Sequence, residues 1–116
     1  DSHGHLLGSK ILGEAAEVIA SKLEENDRLV RYGGDEFVIV LPGQDKHAAF
    51  DKVVAVRKAL ADATFLQDME LAVGLTASFG IANYPGDAAD KKELLQMADN
   101  SLYRSKDVGK NSITVA

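Results

Sequence analysis

The sequence has no cysteine, only two prolines and no apolar run near the roughly 20 residues that span a bilayer. Without cysteine, disulfide bonds and thiolate metal sites are excluded, and a reducing compartment is compatible with the chain. Positive charge is also scarce, because 13 basic against 18 acidic residues give a formal net charge of −5. This balance argues against a general nucleic-acid-binding surface, which would be basic, and nothing in the sequence predicts membrane contact. A nucleotide ligand stays open, because a metal ion can supply local positive charge.

The length and the hydrophobic content of the chain fit one domain. The chain has 116 residues, 46% of them hydrophobic, so residues 1–116 can bury a core of their own. The opening segment, residues 1–5, is typical neither of a natural start nor of a flexible tail. We therefore expect a single domain that is truncated at its N-terminus.

A short stretch of glycines and acids, formed by Gly33, Gly34, Asp35 and Glu36, lies between two apolar runs. Two extended runs with a glycine-containing connection predict a β-hairpin, here over residues 28–41. The glycines let a ligand approach the main chain, and adjacent carboxylates are suitable ligands for Mg²⁺. An ordinary solvated turn explains the same residues, since glycine and aspartate are common in turns. The stretch alone leaves both interpretations open.

Hydrophobic periodicity predicts the other elements. Helices are expected over residues 10–25, 48–63 and 90–108, and strands over residues 71–84 and 112–115. Ser9 is a plausible N-cap of the first helix, and Met97 and Tyr103 are expected on the core face of the last one. Because helices and strands do not alternate one for one, the predicted class is α+β, with an antiparallel-rich sheet flanked by helices.

Four spaced stretches resemble motifs of the GGDEF family, the diguanylate cyclases. Residues 31–37 resemble the signature that names the family, and residues 1–8 resemble its Asn-Asp-x-x-Gly-His-x-x-Gly-Asp segment. Residues 76–82 resemble its Thr-x-Ser-x-Gly-x-Ala strand, and residues 98–111 resemble its Ala-Asp-x-Ala-Leu-Tyr-x-Ala-Lys-x-x-Gly-Arg-Asn segment. The resemblance covers nearly the whole chain, and four motifs in order are far more specific than one.

The resemblance implies the palm fold shared with class III adenylyl cyclases, here without its N-terminal strand. It also implies an activity. Two domains, each holding one nucleoside triphosphate, face each other in a transient homodimer and form a 3′,5′-linked cyclic dinucleotide with release of pyrophosphate. The implied cofactor is Mg²⁺ or Mn²⁺, the substrates are GTP and for some members ATP, and the implied setting is the bacterial cytoplasm. An upstream sensor or receiver domain is the usual partner.

The hairpin residues acquire roles through the same resemblance. Asp35 matches a catalytic position that binds the metal and helps to activate the attacking hydroxyl group, and Glu36 matches a catalytic position that is a second metal contact or supports the base. Gly33 and Gly34 would let the hairpin backbone lie close to the substrate. The family's first metal-binding aspartate and its guanine-reading asparagine would both lie upstream of Asp1.

Two lysines of the last motif match the cationic contacts to the β- and γ-phosphates. They are Lys106 and Lys110, of which Lys110 replaces an arginine and so loses a bidentate contact. A favourable interaction with the C-terminal end of the helix dipole is the alternative role for both lysines.

Ser9 is the main departure from the family pattern, which has an aspartate at this position. That aspartate accepts hydrogen bonds from N1–H and the 2-amino group of guanine, two donors that adenine lacks. A serine hydroxyl both donates and accepts, so it can satisfy either purine. Ser9 resembles the hybrid promiscuous subgroup, which uses ATP besides GTP and makes cyclic AMP-GMP. The alternatives are a strict diguanylate cyclase that tolerates Ser9 and a catalytically inactive nucleotide-binding or sensor module.

A second departure concerns product inhibition. Many members bind cyclic di-GMP through an Arg-x-x-Asp motif shortly before the signature. The matching residues here are Glu24 and Asp27, so the arginine is absent and the site is expected to be degenerate. A further arginine on the following helix commonly completes the site, and Arg57 or a residue near Ala55 would hold that place. We expect feedback inhibition through this site to be weak.

Overall fold

The computed structural model describes residues 2–33, 36–107 and 111–116, and its elements follow the predicted order. The helices are α1 (Ser2–Ala20), α2 (Lys46–Asp62) and α3 (Lys91–Asp107), and the strands are β1 (Arg28–Gly33), β2 (Glu36–Val40), β3 (Phe79–Ile81) and β4 (Ile113–Val115). A 3-10 turn, Gln67–Met69, lies between α2 and β3. No helix within the described ranges is both long enough and apolar enough to cross a membrane.

The described strands form two pairs. Strands β1 and β2 make the predicted antiparallel hairpin, in which Val30 lies opposite Val38 and Gly33 lies opposite Glu36. Strands β3 and β4 are parallel, and α3 provides the crossover that a parallel pair requires. The mixture of small sheets and flanking helices confirms the predicted α+β class.

The core lies where the two first helices meet the hairpin. Helix α1 packs against α2 and β1, while α2 also contacts β3 and β4. The residues buried together are Ala15, Ile19, Val56, Leu60, Phe65 and Leu66. Alternate hairpin residues pack against this cluster from one face, and they are Leu29, Phe37 and Ile39. The opposite face of the hairpin keeps Val30 and Val40 exposed, as the period of two in a strand requires.

Side-chain caps define two of the helix starts. The carboxylate of Asp45 accepts a hydrogen bond from the backbone N–H of Ala48 at 2.8 Å, so α2 begins two residues before the predicted start. The carboxylate of Asp90 accepts one from the N–H of Glu93, also at 2.8 Å, at the start of α3. Aspartate is a preferred cap because its oxygen satisfies an N–H group that has no partner within the helix.

The prediction that Ser9 caps the first helix is wrong. Helix α1 begins at Ser2, so Ser9 lies two turns inside it. Residues 4–9, which precede the predicted helix, contain two glycines, which are poor helix formers, but here the helix continues through them. The alternative in which Ser9 serves as an N-cap is therefore excluded.

The long strand predicted over residues 71–84 is also wrong in extent. Only Phe79–Ile81 forms a regular strand, and an isolated antiparallel bridge joins Val73 to Phe65. A strand persists only where a partner supplies ladder hydrogen bonds, and β4 pairs with just these three residues.

Helix α3 packs on β3 and β4 through small side chains rather than large ones. Ser101 and Ser105 are both fully buried at this contact, whereas Tyr103 is 74% exposed. The prediction that Tyr103 faces the core is therefore wrong, although Met97 is half-buried. Residues two apart on a helix are separated by about 200°, so burial of the two serines turns Tyr103 to solvent.

Gly80 is where α3 and β3 come closest, and we expect Gly80→Ala to destabilise the domain. A Cβ atom at this position would overlap backbone atoms of Ala98 and Leu102, which cannot move aside as a flexible side chain could. The expected loss is about 3 kcal/mol in the free energy of unfolding, measured by urea denaturation. Gly74→Ala is the matched control, because nothing lies within 4 Å of a Cβ atom at Gly74. Equal denaturation midpoints for the two variants would contradict the close contact.

Candidate functional site

A cleft of about 720 Å³ separates the two strand pairs. Strand β2 forms one wall, and β3 with the adjoining residues Ala82 and Asn83 forms the other. Helix α3 contributes Ala98, Asp99 and Leu102 to the lining. Among the described residues β2 pairs only with β1, and β3 pairs only with β4, so each presents an open edge to the cleft. The cleft therefore separates two strands that could each accept one more partner.

The hairpin end opens on this cleft. Tyr32 and Glu36 both belong to its lining, and Glu36 is half-buried. Gly33 has a φ of 151°, in a region that residues with a side chain rarely adopt, and the strand register is irregular just before it. A glycine is thus needed where the hairpin backbone changes direction. Gly34 and Asp35 lie outside the described residues.

Of the two lysines predicted for phosphate binding, the structure describes Lys106, which lies at the end of α3. Lys106 is exposed in the last helical turn, beside Arg104, and it does not belong to the lining of the cleft. Lys110 lies outside the described residues. The structure therefore places Glu36 and Lys106 on different elements, and it does not bring them into one described pocket.

Ser9 lies on the exposed surface of α1, outside the lining of the cleft. The neighbouring Lys10 forms an ion pair with Asp68 at 2.7 Å, which ties this part of α1 to the 3-10 turn. The hydrogen bond and charge of Asp68 raise the pKa of Lys10, and Lys10 in turn lowers the pKa of Asp68. Glu14 accepts a further hydrogen bond from the N–H of Leu66 at 3.0 Å, so the helix that carries Ser9 is held at two points.

The two acids at the positions of the product-inhibition motif, Glu24 and Asp27, form ionic contacts with Lys52. The ammonium group of Lys52 lies 3.2 Å from a carboxylate oxygen of Glu24 and 3.8 Å from one of Asp27. Asp27 is buried, and it also accepts a hydrogen bond from the N–H of Glu24 at 2.8 Å. Arg57 points elsewhere, since its guanidinium group donates to the carbonyl of Asn111 at 3.3 Å. Among the described residues, the acids at both motif positions are thus paired with Lys52.

A metal ion at the hairpin would need ligands beyond those described. Within residues 2–33, 36–107 and 111–116, no three histidine, aspartate or glutamate side chains are grouped so as to hold a cation. Glu36 is a suitable oxygen donor for a hard cation, and its neighbour Asp35 in the sequence is a second.

Sequence reasoning missed two features of this region. Lys52 meets Glu24 across 28 residues of sequence, and no local spacing predicts such a contact. The buried hydroxyl groups of Ser101 and Ser105 do leave a signal, because serine replaces the alanine of the family pattern at both positions.

The comparisons with known proteins agree with this fold. Residues 1–112 match the family described as "Diguanylate cyclase, GGDEF domain". The chain is 32% identical over 116 residues to Diguanylate cyclase A of Treponema denticola, covering 100% of this chain and 31% of that protein. It is 36% identical over 111 residues to the bifunctional diguanylate cyclase/cyclic di-GMP phosphodiesterase MucR of Pseudomonas aeruginosa, covering 96% of this chain and 16% of that protein.

Among solved structures, a shortened form of YfiN (TpbB) from Pseudomonas aeruginosa that comprises only the GGDEF domain matches with a TM-score of 0.88. The identity is 30%, and the match covers 97% of this chain and 66% of that one. The fold, with a glycine- and acid-containing hairpin beside a cleft, is thus that of the palm-like signalling domains. Within this class, the chain belongs to the GGDEF family of diguanylate cyclase domains. It spans about a third or less of the length of the two relatives named above.

Proposed function

We propose that the full protein is a dinucleotide cyclase, in which two nucleoside triphosphates condense to a 3′,5′-linked cyclic dinucleotide. The observation that carries this proposal is the position of Glu36. It lies at the hairpin end, half-buried in the lining of the cleft, directly after Gly33, Gly34 and Asp35 of an intact signature. A merely solvated turn would not need a carboxylate that is partly withdrawn from water, since burial of a charge is costly without a partner.

The reaction consists of two equivalent phosphoryl transfers. The 3′-oxygen of one nucleotide attacks the α-phosphorus of the other, the bond to pyrophosphate breaks, and the hydroxyl proton leaves to a base. Each half-reaction forms one phosphodiester bond and releases one pyrophosphate. Because each domain holds one substrate, the proposal requires a transient homodimer in which two domains face each other.

The residues of this chain supply position and charge, which dominate catalysis of phosphoryl transfer. Asp35 and Glu36 would hold Mg²⁺ or Mn²⁺, which when bound neutralises phosphate charge and lowers the barrier to forming an alkoxide. Gly33 leaves the hairpin backbone accessible to the substrate, since no Cβ atom covers it. Lys106 and Lys110 would bind the terminal phosphates, because their ammonium groups can form charge-assisted hydrogen bonds to phosphate oxygens.

We propose further that the enzyme uses ATP as well as GTP and makes cyclic AMP-GMP besides cyclic di-GMP. The support is Ser9, which is exposed on α1 and does not cap the helix. Its hydroxyl can donate to adenine N1 or accept from guanine N1–H, so it removes the discrimination that a carboxylate would impose. The alternative is a strict diguanylate cyclase in which Ser9 is tolerated.

One experiment separates these activities. The full-length protein is incubated with Mg²⁺ and GTP alone, with ATP alone and with both, and the products are identified by mass. Cyclic AMP-GMP in the mixture supports relaxed purine choice. Cyclic di-GMP alone, with ATP never incorporated, contradicts it. No product in any tube contradicts the enzyme and favours an inactive nucleotide-binding or sensor module.

We also propose that the domain is completed by a strand upstream of Asp1. The support is the cleft, which lies between two open strand edges and is lined on both sides by apolar residues such as Val38 and Ile81. Unpaired edges of this kind are normally covered in folded proteins. The GGDEF-only neighbour is consistent with this, because the match leaves a third of that chain outside. An upstream sensor or receiver domain and a cytoplasmic location complete the proposal for the full protein.

Added product should inhibit the natural protein only weakly, and Glu24→Arg should make the enzyme sensitive to cyclic di-GMP. The substitution restores the Arg-x-x-Asp spacing with Asp27 and removes the acid that neutralises Lys52. Because a guanidinium group binds phosphate through two hydrogen bonds, we expect the half-inhibitory concentration to fall at least about tenfold. The measurement is the initial rate against added cyclic di-GMP.

The matched control for this prediction is Glu25→Arg. Glu25 is an exposed neighbour, and its replacement changes the net charge equally without creating the motif. Equal inhibition of the two variants would show a general charge effect. Strong inhibition of the natural protein by cyclic di-GMP would contradict the prediction that the product-inhibition site is degenerate.

A further inference from the structure

The two buried serines of α3 differ in what their hydroxyl groups contact. Ser105 Oγ lies 2.8 Å from the carbonyl oxygen of Phe79, 3.2 Å from that of Ser112 and 2.7 Å from Thr114 Oγ1. Ser101 Oγ has one contact of this kind, an acceptor bond from Arg104 at 3.4 Å. Both serines are fully buried. Of the two, however, only Ser105 forms hydrogen bonds that join α3 to β3 and β4.

The donors in this network follow from the valence of a hydroxyl group. A serine has one proton to donate and two lone pairs to accept. The proton of Ser105 must point to a carbonyl oxygen, of which Phe79 is the nearer, because carbonyls cannot donate. Thr114 therefore donates to Ser105 Oγ. The hydroxyl of Ser105 thus donates to β3 and accepts from β4, so one α3 side chain bonds to both strands.

A second hydrogen bond joins α3 to the strand side, and here the donor lies outside the helix. Ser112 Oγ donates to the carbonyl oxygen of Ser105 at 3.0 Å. This carbonyl lies in the last turn of α3, where carbonyl groups have no partner within the helix. The backbone of Ser112 is itself held, because its carbonyl accepts from the N–H of Phe79 at 2.9 Å. The last turn of α3 is thus tied to the strands from both sides, which opposes the fraying that is usual at helix ends.

We propose that Ser105 and Ser112 are positioning residues for Lys106, and this inference depends on the phosphate-binding role given to Lys106 under the proposed function. Lys106 follows Ser105 directly and has an exposed side chain. A long, flexible ammonium side chain binds phosphate well only if its backbone is held, because less conformational freedom is then lost on binding. The Ser105 network fixes that backbone while leaving the lysine itself free to reach a ligand.

The test compares the affinity of the full-length protein for α,β-methylene GTP and for GMP, each with Mg²⁺. Ser105→Ala should raise the Kd of the triphosphate analogue by about fivefold, the equivalent of one hydrogen bond, and leave the Kd of GMP unchanged. Alanine removes the hydroxyl without adding volume, so the fold is preserved. Ser112→Ala should have the same effect, because it removes the bond in the opposite direction.

Ser101→Ala is the matched control, since it deletes an equally buried hydroxyl on the same helix, whose one hydrogen bond among the described residues is with Arg104 rather than with a strand. It should leave both affinities unchanged. In a Lys106→Ala background, Ser105→Ala should have no further effect on triphosphate affinity, because the residue through which it acts is gone. A purely structural role would reduce affinity in both backgrounds alike.

Three outcomes would overturn the inference. The first is a triphosphate affinity of Ser105→Ala equal to that of Ser101→Ala, and the second is an undiminished effect of Ser105→Ala in the Lys106→Ala background. The third is a natural protein that binds the triphosphate analogue no more tightly than GMP. A natural protein that binds the analogue but turns over no nucleotide contradicts the proposed function alone, and the binding comparison still decides the role of Ser105.

Discussion

Glu36→Gln is expected to lower the rate of cyclic dinucleotide formation by about a thousandfold or more. Glutamine keeps the shape of the side chain and one oxygen donor but removes the negative charge that a divalent cation requires. Glu36 is half-buried at the hairpin end, in the lining of the cleft. The measurement is the rate of product formation by the full-length protein at saturating GTP and Mg²⁺, with urea denaturation to show that the fold is unchanged.

The matched control for this prediction is Glu17→Gln. Glu17 is an exposed acid of α1 that does not line the cleft, and its replacement makes the same change of charge. It should retain full activity. A Glu36→Gln variant with normal turnover would exclude Glu36 from the reaction, and equal losses in both variants would point to net charge rather than to a specific role.

Ser9→Asp is expected to shift the products toward cyclic di-GMP. A carboxylate accepts from the two guanine donors and repels the lone pair of adenine N1, so the preference for GTP should rise roughly tenfold or more. The measurement is the ratio of cyclic AMP-GMP to cyclic di-GMP, by mass, in an equimolar mixture of GTP and ATP. Ser9 is exposed on α1, so the substitution should leave the stability of the fold nearly unchanged.

Ser21→Asp provides the control, because Ser21 is an exposed serine just after α1 and gains the same charge. Its product ratio should equal that of the natural protein. An unchanged ratio for Ser9→Asp would exclude Ser9 as the selector of the purine. A natural protein that makes cyclic di-GMP alone would show that purine choice is made elsewhere.

The order of elements could be predicted from sequence because hydrophobic periodicity is a local property. The hairpin, all three helices and the last strand are where the pattern places them, to within a few residues for most ends. The start of α1 was missed by more, since glycine-rich segments have poor helix propensity and only the folded context shows that the helix continues through them. The strand at residues 71–84 was predicted too long, because a pattern of apolar residues does not reveal how much of it finds a partner.

The inward face of α3 could not be predicted from apolarity. The helix approaches β3 so closely at Gly80 that only small side chains fit between them, and two serines are buried where a large residue was expected to pack. Hydrophobicity favours Tyr103 for the core, but the room available decides against it. Long-range pairs such as Lys52 with Glu24 are likewise absent from any local pattern, because the fold alone brings their elements together.

The site was predicted in part. The motif located the hairpin end, and the structure places Glu36 in a cleft, but no described contact joins this residue to Ser9 or Lys106. Those three positions belong to separate elements, β2, α1 and α3. The roles of Asp35 and Lys110 remain predictions, since both residues lie outside the described ranges.

The open edges of β2 and β3 also have a consequence for solubility. An uncovered strand edge carries N–H and C=O groups that can pair with the same edge of another molecule, which is a common route to aggregation. Here two such edges border one apolar cleft, so another molecule could pair with a strand edge on either wall of the cleft. The strand proposed upstream of Asp1 would therefore also protect the molecule from its own copies, besides completing the domain.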